Sequence, residues 1–360
     1  MLLLSHLGRC GIVVVVLVLV VGCSRQPGAT SSVGAAVGSP STLAPRFAPR
    51  ALALMPTQRW TALSPAPFVP LPHAAGNISD VKVMTFNLRV ATALDTFNTW
   101  AIRRGMVVER IREFGPDLLG TQEGLRGQID FLRKELSGYD FFGAGRSDGD
   151  RRGEMCGIFY RSDRFERTDG GHFWLSENPE KPGSKAWGAW FPRMVTWVKL
   201  RPLSVGASGA MGGEIVFVNT HLDAFSRRAR VEGARLLLER MRRIAGDSPC
   251  IVTGDFNAGE DSDPYVALTR AHGAAEPLLI DTFRAANPVE QRGEGTRHGF
   301  RGGRGGDRID WILASPCFQA LSASIDHSRG LLGYPSDHFP VTATLRLVAA
   351  PYQATVARTE

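Results

Sequence analysis

Six short apolar runs in this chain each stop at a cluster of carboxylate, amide or imidazole side chains: MTFNLR (84–89), TQE (121–123), NTHLD (219–223), GDFN (254–257), RIDWIL (308–313) and SDHFPV (336–341). Runs this short, with alternating polarity and β-branched or aromatic residues, read as strands. Burying a polar group without a partner costs roughly 2–7 kcal/mol. Clusters scattered through the interior would therefore be heavily penalised. The pattern calls for a fold in which several strands finish along one edge, where their polar ends satisfy one another or a shared cation.

The stretches between support that arrangement. Apolar residues take helical spacing at 102–114 and 125–136, and an Arg-rich helix is expected over about 226–244. Strands are expected at 81–89, 116–123, CGIFY, HFWLSE, RMVTWVKL, EIVFVNTHLD, 250–257, DRIDWILAS, LSASIDHS and VTATLRLV. Many strands with few helices imply two sheets packed face to face with helices outside, an α+β class and not a purely parallel sheet.

The ends of the chain differ from its middle. The apolar run Gly11–Val21 is about half the length of a membrane-spanning helix and reads as the core of a secretory signal over residues 1–22. VVGC, ending at Cys23, resembles a lipobox, so the expected product is an exported protein anchored to a membrane through lipid on Cys23. Residues 23–78 are rich in Ala, Pro, Ser and Gly and cannot bury a core; they read as a flexible tether with a reach of ~40 Å. One domain is expected over 79–348, followed by a tail at 349–360. The formal charge of +7 comes mainly from Arg and favours an anionic partner, although no compact basic run marks a nucleic-acid surface. Cys156, Cys250 and Cys317 are odd in number; free thiols are the default, with one Cys250–Cys317 bridge permitted in an oxidising compartment.

On a strand, residues two apart share a face. That rule groups Asn87 with Arg89, Asn219 with His221 and Asp223, Asp255 with Asn257, and Ser336 with His338. A set rich in carboxylate and amide oxygen and poor in thiolate suits a hard ion, Mg²⁺, with Mn²⁺ or Ca²⁺ as alternatives, better than Zn²⁺. Glu123, at the end of its strand, is the first choice as ligand.

In this order and at these separations, the six motifs resemble the endonuclease/exonuclease/phosphatase superfamily, over about Val81–Leu347. The resemblance implies the DNase I-like fold, a four-layered α/β sandwich in which two central mixed β-sheets are flanked by helices, with the site at one sheet edge. It also implies roles. Glu123 would be the main metal ligand, Asn87 would support the metal and phosphate, and Asp337 would lie near a second metal position. Asp255 would deprotonate the attacking water, Asn257 and His221 would hold phosphate oxygens, and His338, oriented by Asp310, would stabilise developing charge or donate a proton. Asn219, Arg193, His298 and Arg89 would contribute to substrate binding. Arg89 and His221 stand where the DNA-repair branch usually has Asp and Tyr, which draws the chain toward the deadenylase, sphingomyelinase and phosphatase branches.

The segment 172–197 resembles one found in a secreted bacterial and fungal branch, where Trp174, Trp187 and Trp190 either wall the substrate cleft or pack the loop on the core. The Gly-rich stretch HGFRGGRGGDR (298–308) offers His298, Arg301 and Arg304 to an anion, or forms a wide hairpin. The expectation is a monomeric Mg²⁺-dependent phosphoesterase whose substrate is a lipid head group, sugar phosphate, inositol phosphate or nucleotide. The alternatives are an extracytoplasmic nuclease of the same superfamily and a catalytically silent surface lipoprotein that binds an anion.

Overall fold

A computed structural model describes residues 80–203, 213–270 and 279–348. The expected signal, Cys23, the tether and the tail lie outside the described residues. The elements are β1 (Val81–Asn87), α1 (Trp100–Phe114), β2 (Leu118–Gly124), α2 (Arg126–Glu135), β3 (Tyr139–Phe142), β4 (Met155–Arg161), β5 (Phe165–Trp174), β6 (Met194–Pro202), β7 (Ile215–His221), α3 (Arg227–Ala245), β8 (Cys250–Asp255), α4 (Asp263–Thr269), β9 (Ile280–Asp281), α5 (Thr282–Ala286), β10 (Asp310–Ala314), β11 (Phe318–Ile325) and β12 (Val341–Leu347).

They form two six-stranded mixed sheets, ordered β11-β12-β1-β2-β4-β3 and β5-β6-β7-β8-β10-β9. Each sheet contains one parallel pair built by a helical crossover: β1–α1–β2 in the first and β7–α3–β8 in the second. The remaining pairings are antiparallel. The two parallel pairs therefore bring four strand C-termini to one edge.

Period-two alternation decides what faces what. Val83, Leu118 and Ile158 of the first sheet meet Phe217, Ile251 and Ile312 of the second in the central core. On the outer faces, Val107, Ile111, Ile129 and Leu132 of α1 and α2 cover Met84, Phe86, Leu119 and Phe159. Leu237, Leu238 and Met241 of α3 cover Val216, Val218 and Val252. Capping sets the helix ends: the Ser226 side chain accepts from Ala229 N at the start of α3, and Gly115, at φ 60°, closes α1 before Pro116.

Followed toward the site edge, the inward-facing positions change from apolar to polar: Val83–Thr85–Asn87, Leu118–Gly120–Gln122, Phe217–Asn219–His221, Ile251–Thr253–Asp255 and Ile312–Asp310. The site is thus the polar end of the inter-sheet interface. The sheets approach closely there, and a Cβ on Gly120 would lie 2.1 Å from Thr253 Oγ1 and 2.7 Å from Asn219 Oδ1.

Three sequence expectations change. The strand expected at HFWLSE begins earlier, at Phe165, and ends at Trp174; β5 is an edge strand whose residues 166–169 are exposed, so no apolar face announces it. β3 and α4 were not foreseen. The permitted Cys250–Cys317 bridge is not formed, and Cys156, Cys250 and Cys317 are free thiols. Among the described residues no helix is long and apolar enough to cross a membrane.

Candidate active site

The first sheet contributes Asn87, Glu123 and, just before β12, His338; the second contributes His221, Asp255 and Asp310. Alternation ends with the strands, and left-handed turns take over. Glu123 (φ 62°) sits in an irregularity of the β2–β4 pairing between Thr121 and Gly124, while Arg89 (φ 56°) and Asn257 (φ 49°) follow β1 and β8. Such backbone costs of order 1–3 kcal/mol per residue and collects at functional sites.

Asn87 spaces the two carboxylates. Its Nδ2 donates to Glu123 Oε1 at 3.0 Å and to Asp255 Oδ2 at 2.9 Å, while its Oδ1 accepts from Arg89 N at 2.9 Å. Val90 N donates to Glu123 Oε2 at 2.9 Å, and Asn257 N donates to Asp255 Oδ1 at 2.9 Å. His338 Nδ1 pairs with Asp310 Oδ2 at 2.9 Å, which leaves Nε2 aimed toward Asp255 Oδ2, 3.9 Å away. Asn257 Nδ2 lies 3.0 Å from His221 Nε2.

The environment separates the charge states of these groups. Burial alone would push His338 down, but the carboxylates of Asp310 and Asp255 overcome it and raise the imidazole to about 10, so it stands as a cation. Burial, followed by the guanidinium charges of Arg193 and Arg146, drives His221 well below its usual value, so it is neutral, with one ring lone pair that serves either Asn257 Nδ2 or an ion. Burial and the nearby charge of Asp310 push Asp255 up to about 7. Glu123 goes the other way: burial is outweighed by the N–H groups of Asn87 and Val90 and by the charges of His338 and Arg89. Two histidines and two carboxylates with opposed shifts are the arrangement that divides acid and base work.

Some expected residues occupy other positions. Asn219, expected to bind substrate, is 0% exposed and clamps the sheets together. Its Oδ1 accepts from Gln122 Nε2 at 2.7 Å and Thr253 Oγ1 at 3.2 Å, and its Nδ2 donates to the carbonyls of Thr121 and Gly157 at 2.8 and 2.9 Å. No atom is left for a substrate. Asn87, expected as a metal support, holds both carboxylates through Nδ2, and its Oδ1 keeps a lone pair beyond the single Arg89 N–H it accepts. The carboxylate of Asp337, expected near a second metal, lies 3.9 Å from Arg89 Nη1. Arg89 is itself held by Asp95 at 2.8 Å. His298 is buried with its ring stacked on Phe339, and its backbone N–H donates to the Asp337 carbonyl at 2.9 Å. Trp174 is core, donating to the Arg146 carbonyl at 2.6 Å, whereas Trp190 is exposed and stacks on Phe225.

Two supports escaped the sequence reading. Arg103, on α1, is fully buried and donates to the carbonyls of Leu88, Arg89, Asn98 and Pro335, tying the turn after β1 to the SDH segment. Arg146 and Glu154 form a 2.7 Å ion pair in the wall of the cleft. Helical spacing gives no sign of a buried Arg103; a GR…GE spacing around a turn (145–154) was the available signal for the pair.

A divalent ion fits this donor set. Glu123, His221 and Asp255 each offer one ligand atom, all within 4.8 Å of one another. Both Glu123 oxygens keep a lone pair beyond the single N–H each accepts. Carboxylate and imidazole donors suit a hard or borderline divalent ion. Beside it, Asp255, Asp310 and His338 form a charged imidazole between carboxylates.

A fold of two mixed sheets with a carboxylate, amide and imidazole edge defines a class. The chain belongs to the endonuclease/exonuclease/phosphatase family, whose profile matches residues 84–338. Members are phosphoesterases, typically dependent on a divalent metal. Among solved structures, an endonuclease/exonuclease/phosphatase from Bacteroides vulgatus is 34% identical with a TM-score of 0.67, covering 75% of this chain and 99% of that one. The mannosyl-6-phosphatase Bt3783 of Bacteroides thetaiotaomicron is 32% identical with a TM-score of 0.65, covering 74% and 99%. Protein angel of Drosophila melanogaster is 22% identical over 290 residues, 75% of each chain.

Proposed function

We propose that this protein is an exported, lipid-anchored, Mg²⁺-dependent phosphoesterase that hydrolyses a non-nucleic phosphate ester, of the sugar-phosphate class, by in-line attack of water. The observation that carries the reading is the convergence of Glu123 from one sheet with His221 and Asp255 from the other, all ligand atoms within 4.8 Å, beside a charged His338. The likeness to a mannosyl phosphatase across nearly all of that protein's chain supports the sugar-phosphate class. The Met1–Gly22 signal and the VVGC segment support export.

Glu123, with Asp255 and His221 in reach, would hold the ion, which supplies charge neutralisation at the phosphoryl oxygens when bound. Asp255, its proton affinity raised by burial and by Asp310, accepts a proton from the attacking water at Oδ2 while Asn87 fixes that oxygen. His338 Nε2–H, oriented through Nδ1 by Asp310, donates to charge developing on the phosphoryl or leaving-group oxygen. The neutral His221 and Asn257 hold one another in place beside that position.

Hydrolysis of p-nitrophenyl phosphate and bis-p-nitrophenyl phosphate with Mg²⁺, with EDTA, and with Asp255→Ala tests the reading. Turnover is expected to need the metal and to fall about 10²–10⁴-fold in the variant. Turnover that survives EDTA, or is indifferent to Asp255→Ala, refutes it.

A further inference from the structure

Four large apolar side chains stand out from the surface on two loops beside the site edge. Leu94 and Phe97, in the 3₁₀ segment Ala93–Asn98, are 87% and 86% exposed. Leu331 and Leu332 are 99% and 66% exposed. They fill the two central positions of a tight turn, closed by Gly330 N donating to the Gly333 carbonyl at 2.9 Å and Gly333 N to that of Gly330 at 3.2 Å. Such positions ordinarily take Gly, Asn, Asp or Ser, and leucines left in water there add nothing to the fold. The two loops are held together. A Cβ on Gly330 would lie 2.5 Å from Met106 Sδ, and Arg103 donates to the carbonyls of both Asn98 and Pro335. Both also border the reacting groups: Asp95 pairs with Arg89, and Pro335 leads directly into the SDH segment.

The surroundings are basic. Gly302 leaves no room for a Cβ against the Tyr334 hydroxyl, which brings the loop of Arg301 and Arg304 to the segment that carries Arg329, itself 5.7 Å from the Tyr334 ring. Segments 92–106, 297–306 and 326–335 together hold six arginines against two carboxylates, Asp95 and Asp326. Asp95 is engaged by Arg89 at 2.8 Å and Asp326 accepts from Ser328 N at 2.9 Å, so the rim keeps its positive charge. Tips on two separate loops make a convex surface, which suits a fluid partner better than one that must supply a matching recess. An apolar tip inside a positive rim matches an anionic bilayer, whose acyl boundary receives the tips while its phosphates meet the guanidinium groups.

We infer that Leu94, Phe97, Leu331 and Leu332 dock this protein on an anionic lipid bilayer, with Arg301, Arg304 and Arg329 among the head groups, so that the site edge faces the bilayer. Docking of this kind is independent of the reaction the site carries and of lipid on Cys23.

Tryptophans placed in the tips of the full chain, Leu331→Trp and Phe97→Trp, read the docking. Leu203→Trp, just past β6 at the opposite edge of its sheet, is the control. Vesicles of phosphatidylcholine, alone or mixed with phosphatidylglycerol, carry brominated acyl chains that quench emission on contact. The probes report the tips themselves, so attachment through the N-terminal segment does not register. On the anionic vesicles, quenching above the native tryptophan background is expected for Leu331→Trp and Phe97→Trp and not for Leu203→Trp. In the Phe97→Trp chain, adding Leu331→Ser with Leu332→Ser is expected to lower the docked-to-free ratio about 10-fold or more. Adding Arg301→Gln, Arg304→Gln and Arg329→Gln instead is expected to lower it about 10- to 100-fold on anionic vesicles and less than about threefold on neutral ones. Absence of quenching at both tips, or equal quenching of Leu203→Trp, overturns the docking. Quenching that is equal on the two vesicles and indifferent to the arginines overturns the anionic surface. A dimer in lipid-free solution that Leu331→Ser with Leu332→Ser dissolves, measured by sedimentation, assigns the tips to a second copy and overturns the bilayer.

Discussion

Replacing Asn219 with Ala separates a clamp from a substrate contact. The side chain makes three hydrogen bonds across to the other sheet and one, with Thr253, within its own, and its neighbours differ in what they retain. Thr253 Oγ1 keeps its bond to the Val218 carbonyl, Gln122 Nε2 keeps Thr85 Oγ1, and the Gly157 carbonyl keeps Thr121 Oγ1. One N–H of Gln122 and the outward lone pairs of the Thr121 and Gly157 carbonyls lose their partner, in a place with no access to water. At roughly 1–3 kcal/mol for each orphaned group, softened where a partner remains, the loss is about 3–5 kcal/mol. In a domain of this size that lowers Tm by about 6–15 °C. Calorimetric melting is measured beside kcat/KM at 15 °C, where the variant remains folded. Activity per folded molecule is expected within about threefold of the wild type, as for a change that touches no reacting group. A loss beyond about 100-fold with Tm unchanged would assign Asn219 to the chemistry and refute the clamp.

Two further outcomes follow from the buried charges. Because His338 is raised above its unfolded value by Asp310 and Asp255, its charge stabilises the metal-free fold below about pH 6.5, and that contribution is lost as pH rises toward about 10. Urea unfolding in EDTA is expected to show this alkaline loss in the wild type and a flatter profile in Asp310→Asn, whose kcat with metal falls at least about 10²-fold; identical pH profiles would refute the pairing. Arg103→Met removes donors from four buried or half-buried carbonyls and is expected to cost about 3 kcal/mol and to loosen the SDH segment, lowering kcat more than it raises KM. Denaturant melts and steady-state kinetics measure both, and unchanged stability would place Arg103 outside the support of the site.

The chemistry-bearing side chains were legible because each stands at one end of a run whose apolar alternation marks a strand. Asp255 and Asp310 needed only that rule, since they stand opposite one another in the β8–β10 register. Asn219 obeyed the same rule and was still misassigned. Alternation says which face a side chain occupies, but not whether the other sheet lies within bonding distance, and here Gly120 lets it come that close. Arg89 and Asn257 were grouped correctly with their neighbours for the wrong reason, because both lie past the strand end in left-handed backbone. Arg103, Arg146 and Glu154 carry charge, and charge in a sequence reads as surface; only the assembled layers show them buried or half-buried. β3 and β5 are edge strands with little buried face, so periodicity had little to report.

The division of the reacting groups between two layers makes turnover a coincidence detector for assembly. Asn87, Glu123 and His338 arrive with one layer and His221, Asp255 and Asp310 with the other, so a half-assembled chain is rich in β-structure and chemically inert. In a refolding solution, product formation therefore keeps time with the docking of the layers and lags behind the return of backbone order.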